Sequence, residues 1–240
     1  MQRFYWPFSS LNDAPNLIIN EKEHFELFHQ LTNVLRLKPE DEVCFFTNGS
    51  ELDSLFSLVK IEKRTLTFNF KGVKDVAKEL PFQLTLAQAI PQKGEKWEWI
   101  LQKGTELGVQ QFIPLITERT QRQQLPKPER MQKILIEAAE QSGRSFIPHI
   151  TKPTSLELIT ISNDCYFGSL LSNIPLIDQL HSPKHTPAIT VIIGPEGGFT
   201  GQEENLLLKK GAQSYSLAAT VLRLETAAIA TLSIINQIRH

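Results

Sequence analysis

The chain has 240 residues, of which 41% are hydrophobic and 21% are charged, and its formal net charge is −1. These values are ordinary for a globular protein of one or two domains. No apolar run reaches the roughly 18 residues that a membrane helix needs, and the first residues lack the apolar core of a signal peptide. We therefore expect a cytoplasmic protein with no membrane partner. A near-neutral charge does not by itself indicate a nucleic-acid-binding protein.

Cysteine and histidine spacing gives no sign of a disulfide framework or a metal site. Cys44 and Cys165 lie far apart, each within a hydrophobic stretch, and are expected to be buried, reduced thiols. The histidines show neither HxxxH nor HExxH spacing. We predict no metal cofactor.

Residues 1–72 alternate short β-rich runs with turn signals. Strands are predicted over 43–47, 55–61 and 65–70, with Asn48-Gly49 as a turn between the first two. One helix is predicted over residues 21–34 from apolar residues at three- and four-residue spacing. This pattern indicates a small barrel or curled sheet. The charged, weakly patterned segment 73–81 is the predicted domain boundary.

From residue 80 onward strands alternate with helices, which is typical of a mostly parallel sheet covered on both faces. The predicted strands are 82–90, 112–116, 165–171, 189–193 and 214–217. One helix is predicted around Trp97, which lies on its apolar face, whereas Trp99 lies off that face. A second helix is predicted around Met131. The last helix, 225–238, is apolar around most of its circumference. That predicts burial on more than one side and a homodimer.

The segment TVIIGPEGGFTGQEENLLLKK, residues 190–210, runs from an apolar strand through a glycine-rich turn into a helix. Thr200 and Glu203 form a predicted capping box, and Gly211 ends the helix. Glycines at the carboxyl end of a strand let the backbone approach a ligand. Neither GxxxxGK[ST] nor GxGxxG is present, which disfavours the common nucleotide sites. Taken alone, the loop is equally compatible with a merely structural tight turn.

Three further segments give the loop a context: LRLETAA at 222–228, KGTELGV at 103–109 and EQSGR at 140–144. IGPEGGFT followed by LRLETAA resembles the RsmE-type methyltransferases of the SPOUT superfamily, which modify uracil N3 in small-subunit (16S) ribosomal RNA. The resemblance extends from the opening MQRFYW through ITERT at 116–120 to the last helix. It implies a PUA-like β-barrel RNA-binding domain at 1–72 and an α/β methyltransferase domain at 80–240, tied in a trefoil knot.

The resemblance also implies that S-adenosylmethionine is the methyl donor, held in the knot by backbone groups of three loops. Main-chain groups suit the hydrogen-bonding edge of adenine, and apolar side chains suit its faces. Thr226 is expected to cap the last helix. One departure is Ala218, near which the family usually has a glycine. The cofactor-binding residues so assigned are Leu170, Leu171, Gly194, Glu196, Gly197, Gly198, Leu217, Val221, Leu222 and Thr226.

Methylation of uracil N3 needs a proton acceptor and a cation for the charge that spreads onto the ring oxygens. Arg223 is the candidate cation, and Glu196 or Glu225 is the candidate acceptor. Arg144, which closes EQSGR, is the third catalytic candidate. The structural alternative is that Arg223 and Glu225 only pair with each other or cap the helix.

Four further arginines are candidate RNA contacts, since arginine suits phosphate. They are Arg3, Arg36, Arg119 and Arg122. Solvated surface charge is the alternative for each. The aromatic residues at 4–6 could stack on bases or belong to the core.

The expected partner is small-subunit ribosomal RNA within the assembled 30S subunit. Two other functions stay open: a non-catalytic RNA-binding ribosome-assembly factor that keeps the fold, and an enzyme acting on a small nucleotide. The intact glycine loop and LRLETAA favour the methyltransferase.

Overall fold

The computed structural model describes residues 2–8, 11, 15–76, 79–161, 164–180 and 187–239. The chain divides into two compact units. The first comprises residues 1–78 together with 140–146, and the second comprises 79–139 together with 147–240. The division near residue 78 falls within the segment 73–81. The grouping of 140–146 with the first unit was not foreseen.

The first unit contains a five-stranded sheet in the order β1-β3-β4-β5-β2. Its strands are β1 (Gln2–Tyr5), β2 (Asn16–Asn20), β3 (Glu42–Phe46), β4 (Leu52–Glu62) and β5 (Thr65–Asp75). β1 pairs with β3 in parallel, and the other pairs are antiparallel. Aromatic rings fill the interior, with Phe45 in contact with Phe4, Trp6, Phe56 and Phe68. Phe4 and Trp6 therefore belong to the core.

The predicted helix over 21–34 is shorter and less regular than expected. α1 covers Phe25–His29, and a π-helical turn over Gln30–Val34 follows it. Asn20 holds the chain in a turn beforehand, because its side chain accepts a hydrogen bond from Lys22 N at 2.9 Å. Such local bonds compete with the helix, so the helix begins later than the apolar spacing suggests.

The second unit is built on a parallel sheet in the order β12-β10-β11-β6-β7-β8, with β9 also paired to β7. This confirms the predicted α/β fold with a mostly parallel sheet. The strands are β6 (Gln83–Ala89), β7 (Gln111–Ile116), β8 (His149–Ile150), β9 (Thr154–Ser155), β10 (Asp164–Gly168), β11 (Ala188–Ile193) and β12 (Gln213–Tyr215). The helices are α2 (Gly94–Glu106), α3 (Pro128–Ser142), α4 (Leu176–Leu180), α5 (Gly201–Lys209) and α6 (Leu224–Arg239).

The apolar circumference of α6 is mostly covered within the chain. This helix packs against β11 on one side and against α2 and α4 on others. Ala228, Leu232 and Ile235 are buried, whereas Ile229 and Ile234 are partly exposed. On α2, Trp97 is buried and donates to the Met131 sulfur at 3.4 Å, and Trp99 is exposed. Both tryptophans lie as predicted.

Cys44 and Cys165 are free and buried, as predicted, and burial raises the pKa of Cys165 to about 12. Among the residues described, no three His, Cys, Asp or Glu side chains come together as a set of metal ligands. Within the same part of the chain, none of the helices has the length and apolarity needed to cross a membrane.

Candidate functional site

A cavity of about 1200 Å³ lies at the carboxyl ends of β10, β11 and β12. Three loops that leave these strands form most of its wall: residues 169–173, 194–199 and 216–223. Open parallel sheets place ligands outside the carboxyl ends of their strands, because a crevice opens there where the strand order reverses. The cavity is thus where the glycine-rich turn predicted it.

Every residue assigned to the cofactor lines this cavity except Thr226. β10 ends at Gly168, not at 171 as predicted, so Leu170 and Leu171 lie on a loop and are 71% and 76% exposed. Val221, on the opposite loop, is 75% exposed. Thr226 does not cap α6, because the helix begins at Leu224 and Thr226 falls inside its first turn. That prediction was wrong.

The glycine-rich turn is held by the predicted capping box. Thr200 Oγ1 accepts from Glu203 N at 3.3 Å, and Glu203 Oε2 accepts from Thr200 N at 2.8 Å. Gly198 has φ +69°, a conformation that favours glycine. Glu203 has a second function that the sequence did not show. Its Oε1 accepts from Glu118 N at 2.8 Å and so ties the start of α5 to the turn that follows β7.

That turn carries Arg119, one of the predicted RNA contacts. Its guanidinium donates to the carbonyl of Gly197 at 2.6 Å, and more weakly to that of Phe199 at 3.5 Å. Arg119 lines the cavity, and its hydrogen bond to the Gly197 carbonyl holds the glycine-rich turn in place. Arg122 lies against Gly94 at the start of α2 and does not line the cavity.

Lys96, in the first turn of α2, was not singled out by the sequence. Its Nζ lies 3.1 Å from Glu225 Oε2 and 3.7 Å from Glu196 Oε1. Glu196 Oε1 also accepts from Gln92 N at 3.2 Å. Glu225 therefore pairs with Lys96, and the alternative in which it only pairs with Arg223 does not hold. Arg223 is exposed and lines the cavity.

A smaller cavity of about 290 Å³ adjoins the large one. It is lined by Gln92, Glu118, Arg119, Thr120, Gln121, Glu196 and Gly197. Arg119, Glu196 and Gly197 belong to the walls of both cavities. At the rim, the Gln92 amide donates to Gln121 Oε1 at 2.7 Å. Glu196 thus lies at the boundary between the two cavities.

Polar side chains inside the large cavity were also missed. Ser169 Oγ donates to Glu204 Oε1 at 2.7 Å and accepts from Leu171 N at 3.0 Å. Tyr215 OH lies 2.7 Å from Thr231 Oγ1, and burial raises the pKa of this phenol. The first pair offers a carboxylate and a hydroxyl to a ligand, and in the second pair Tyr215 lines the cavity whereas Thr231 does not.

The remaining predicted arginines lie in the first unit. Arg3 binds both oxygens of Asp53, at 2.6 and 2.8 Å, and donates to the carbonyl of Arg144 at 2.6 Å. Its side chain is only 10% exposed and its guanidinium stacks on Phe46. Arg144 is buried and lines neither cavity, whereas Arg36 is exposed. Burial and pairing give Arg3 a structural role that the prediction of an RNA contact did not include.

A parallel sheet with a deep cavity at its strand ends, closed by a glycine-rich turn, defines the second unit as a ligand-binding α/β domain. Residues 78–236 match the family described as an RNA methyltransferase domain. The chain is 30% identical to ribosomal RNA small subunit methyltransferase E of Bacillus subtilis, across 98% of this chain and 96% of that protein. The chain belongs to the ribosomal RNA small subunit methyltransferase E family.

Other relatives agree with this assignment. The Rickettsia conorii protein of the same name is 36% identical over 85% of this chain and 84% of its own length. The structure of the Neisseria gonorrhoeae protein of that name, bound to S-adenosyl methionine, matches with a TM-score of 0.83 and 28% identity. That match covers 99% of this chain and 98% of the other.

Proposed function

We propose that this protein transfers the methyl group of S-adenosylmethionine to N3 of a uridine in small-subunit (16S) ribosomal RNA. The observation that carries the proposal is the cavity at the strand ends, lined by the three loops that the family resemblance assigned to the cofactor. Family membership supports the reaction, and the neisserial structure supports the cofactor. The choice of N3 rests on the resemblance of IGPEGGFT and LRLETAA.

The cavity residues fit S-adenosylmethionine in size and chemistry. Leu170, Leu171 and Val221 present exposed apolar side chains that suit the faces of adenine, and the loops present peptide groups for its edge. The Ser169–Glu204 pair offers polar partners for hydroxyl or ammonium groups. When bound, S-adenosylmethionine supplies an electrophilic methyl group whose bond to sulfur breaks as the bond to N3 forms.

Glu196 is the better of the two candidate proton acceptors. It lines both cavities, so a pyrimidine in the small cavity would bring its N3–H toward this carboxylate and toward the large cavity. Glu225 lines neither cavity and pairs with Lys96. In this assignment Glu196 takes the N3 proton, and Arg223 stabilises the negative charge on the ring oxygens.

RNA binding would involve arginines outside the cofactor loops. Arg36 is exposed, and Arg122 is partly exposed beside α2. Arg3 would act through Asp53, the Arg144 carbonyl and the Ser145 hydroxyl, not by direct contact. Arg144 is buried, and its catalytic assignment stays a prediction. The variant Arg144→Lys tests it and should lose turnover. A PUA-like barrel for the first unit and a trefoil knot in the second are expected from the family resemblance.

We also propose a homodimer, a cytoplasmic location and the assembled 30S subunit as substrate. Partly exposed Ile229 and Ile234 on α6 and exposed Trp99 on α2 support the dimer. Sedimentation of the purified protein at micromolar concentration should give twice the monomer mass. A monomer there would contradict this part of the proposal.

The test of function uses radiolabelled S-adenosylmethionine and small ribosomal subunits from a strain that lacks the gene. Digestion and mass spectrometry should find the label in N3-methyluridine. Free 16S RNA and small uridine compounds, run in parallel, distinguish the substrate forms. No label in any of them despite measurable cofactor binding would favour the ribosome-assembly factor.

Two variants assign the catalytic groups. Arg223→Ala and Glu196→Gln should each lose turnover while they keep the affinity for S-adenosylmethionine within about threefold, because neither removes a loop backbone group. Arg130→Ala is a matched control, since Arg130 pairs with Glu98 on the surface of the same unit. Near-normal turnover of either variant would remove that residue from the mechanism.

A further inference from the structure

Lys96 occupies a position where a lysine is unfavourable unless something compensates its charge. It is the third residue of α2, and the exposed N–H groups of a first helical turn carry partial positive charge. Its side chain is partly buried, at 26% exposed. The compensation comes from outside the helix, from Glu225 at 3.1 Å and Glu196 at 3.7 Å.

These two carboxylates belong to different elements of the second unit, and only Glu196 lines the large cavity. Glu196 lies on the glycine-rich turn, and Glu225 lies in the first turn of α6, two residues after Arg223. Two carboxylates near a common point repel each other, and a cation between them holds both in place. Lys96 therefore connects α2, the glycine-rich turn and the start of α6.

The contacts of Glu196 determine which of its two carboxylate oxygens is left for a substrate. Its Oε1 receives the Gln92 N–H and lies on the side of Lys96. With that oxygen fixed, rotation of the carboxylate is restricted, and Oε2 is the oxygen left to face a substrate. Glu225 lines neither cavity, so its effect on the site passes through the lysine.

We propose that Lys96 is a positioning residue for methyl transfer: it holds the Glu196 carboxylate at the boundary of the two cavities, and Glu225 holds Lys96. The inference rests on the proposed role of Glu196 as proton acceptor. Lys96 also lines the large cavity beside Glu196, and in this proposal it transfers no proton. Its removal should leave Glu196 free to turn away from the acceptor base.

The experiment compares Lys96→Met, Lys96→Arg and the control Lys103→Met. Lys103 lies on the same helix and pairs with Glu106 on the surface, outside both cavities. Lys96→Met should lower kcat on small ribosomal subunits about a hundredfold, the scale expected for a misplaced catalytic group. Its Kd for S-adenosylmethionine should change less than threefold. Lys96→Arg should recover most of kcat, and Lys103→Met should match the parent.

A double variant shows whether Lys96 acts through Glu196. In the Glu196→Gln background, Lys96→Met should lower kcat less than about twofold further, because residues that act as a unit are not additive. Glu225→Gln should give a smaller loss than Lys96→Met. A circular dichroism melt of each variant identifies any that fails to fold, and Lys96→Gln then replaces Lys96→Met.

The outcomes distinguish the positioning role of Lys96 from the proton-acceptor role of Glu196. If Glu196→Gln lowers kcat strongly and Lys96→Met is normal, the positioning role is wrong and the acceptor assignment stands. Equal losses from Lys96→Met in the parent and in the Glu196→Gln background would also overturn the positioning role. If Glu196→Gln turns over normally, both the acceptor assignment and the inference fail. A loss confined to cofactor affinity would make Lys96 part of the cofactor site instead.

Discussion

Glu203→Gln tests the link between the glycine-rich turn and the turn that carries Arg119. The carboxylate is buried and accepts two backbone N–H groups, Thr200 N and Glu118 N, each at 2.8 Å. Glutamine keeps one acceptor and turns its amide N–H toward the other donor. One bond to a charged acceptor is lost, worth about 1.5–3 kcal/mol, and the remaining bond becomes a weaker neutral one. The variant should therefore lose about 2–4 kcal/mol of unfolding free energy.

For a chain of this length that loss corresponds to a fall in Tm of about 4–16 °C. Differential scanning calorimetry measures it, with Glu106→Gln as the control because Glu106 forms only a surface ion pair. The variant should also bind S-adenosylmethionine more weakly, since Arg119 would no longer be held against Gly197. A Tm within 2 °C of the parent would show that the second contact of Glu203 contributes no stability.

Three other experiments test the fold around the site and in the first unit. Gly198→Ala has open space for its methyl group but a φ of +69°, so it should cost about 1–2 kcal/mol in chemical denaturation and weaken cofactor binding. Asp53→Ala breaks the buried pair with Arg3 and should destabilise the first unit by about 3–5 kcal/mol, whereas Lys60→Ala, at a surface pair, should change little. Burial raises the pKa of Cys165 to about 12, so this thiol stays protonated at pH 8 and should resist iodoacetamide until the protein is unfolded in urea.

The parts of the site that the sequence predicted are those determined by local chemistry. An apolar strand followed by glycines and a Thr-x-x-Glu capping box specifies a strand, a turn and a helix within about a dozen residues. The strand end then determines which edge of a parallel sheet bears the loop. The cavity lining at 194–198 followed from these features, whereas the loops at 170–171 and 217–222 came from the family resemblance.

The parts that were missed depend on pairing between distant residues. β1 pairs with β3, which lies some forty residues later in the sequence, and no local pattern predicts such a partner. Arg3 looked like a surface cation because its partner Asp53 lies fifty residues away. The predicted helix over 21–34 begins late, at Phe25, for a different reason, since apolar spacing does not register the turn that Asn20 forms. Lys96 did leave a signal, a cation in the first turn of a helix, which electrostatics alone would disfavour.

The exposed leucines and valine on the loops of the large cavity are expected to contribute to ligand affinity. Loops are normally polar, yet Leu170, Leu171 and Val221 expose about three quarters of their surface to water beside the cavity. Burying a side chain of this size under a ligand contributes roughly 1.5–3 kcal/mol. Polar substitutions here should therefore cost affinity and leave folding stability unchanged. Calorimetry with S-adenosylmethionine should show Leu171→Ser binding at least several-fold more weakly at an unchanged Tm, and unchanged affinity would mean that these side chains face something other than the cofactor.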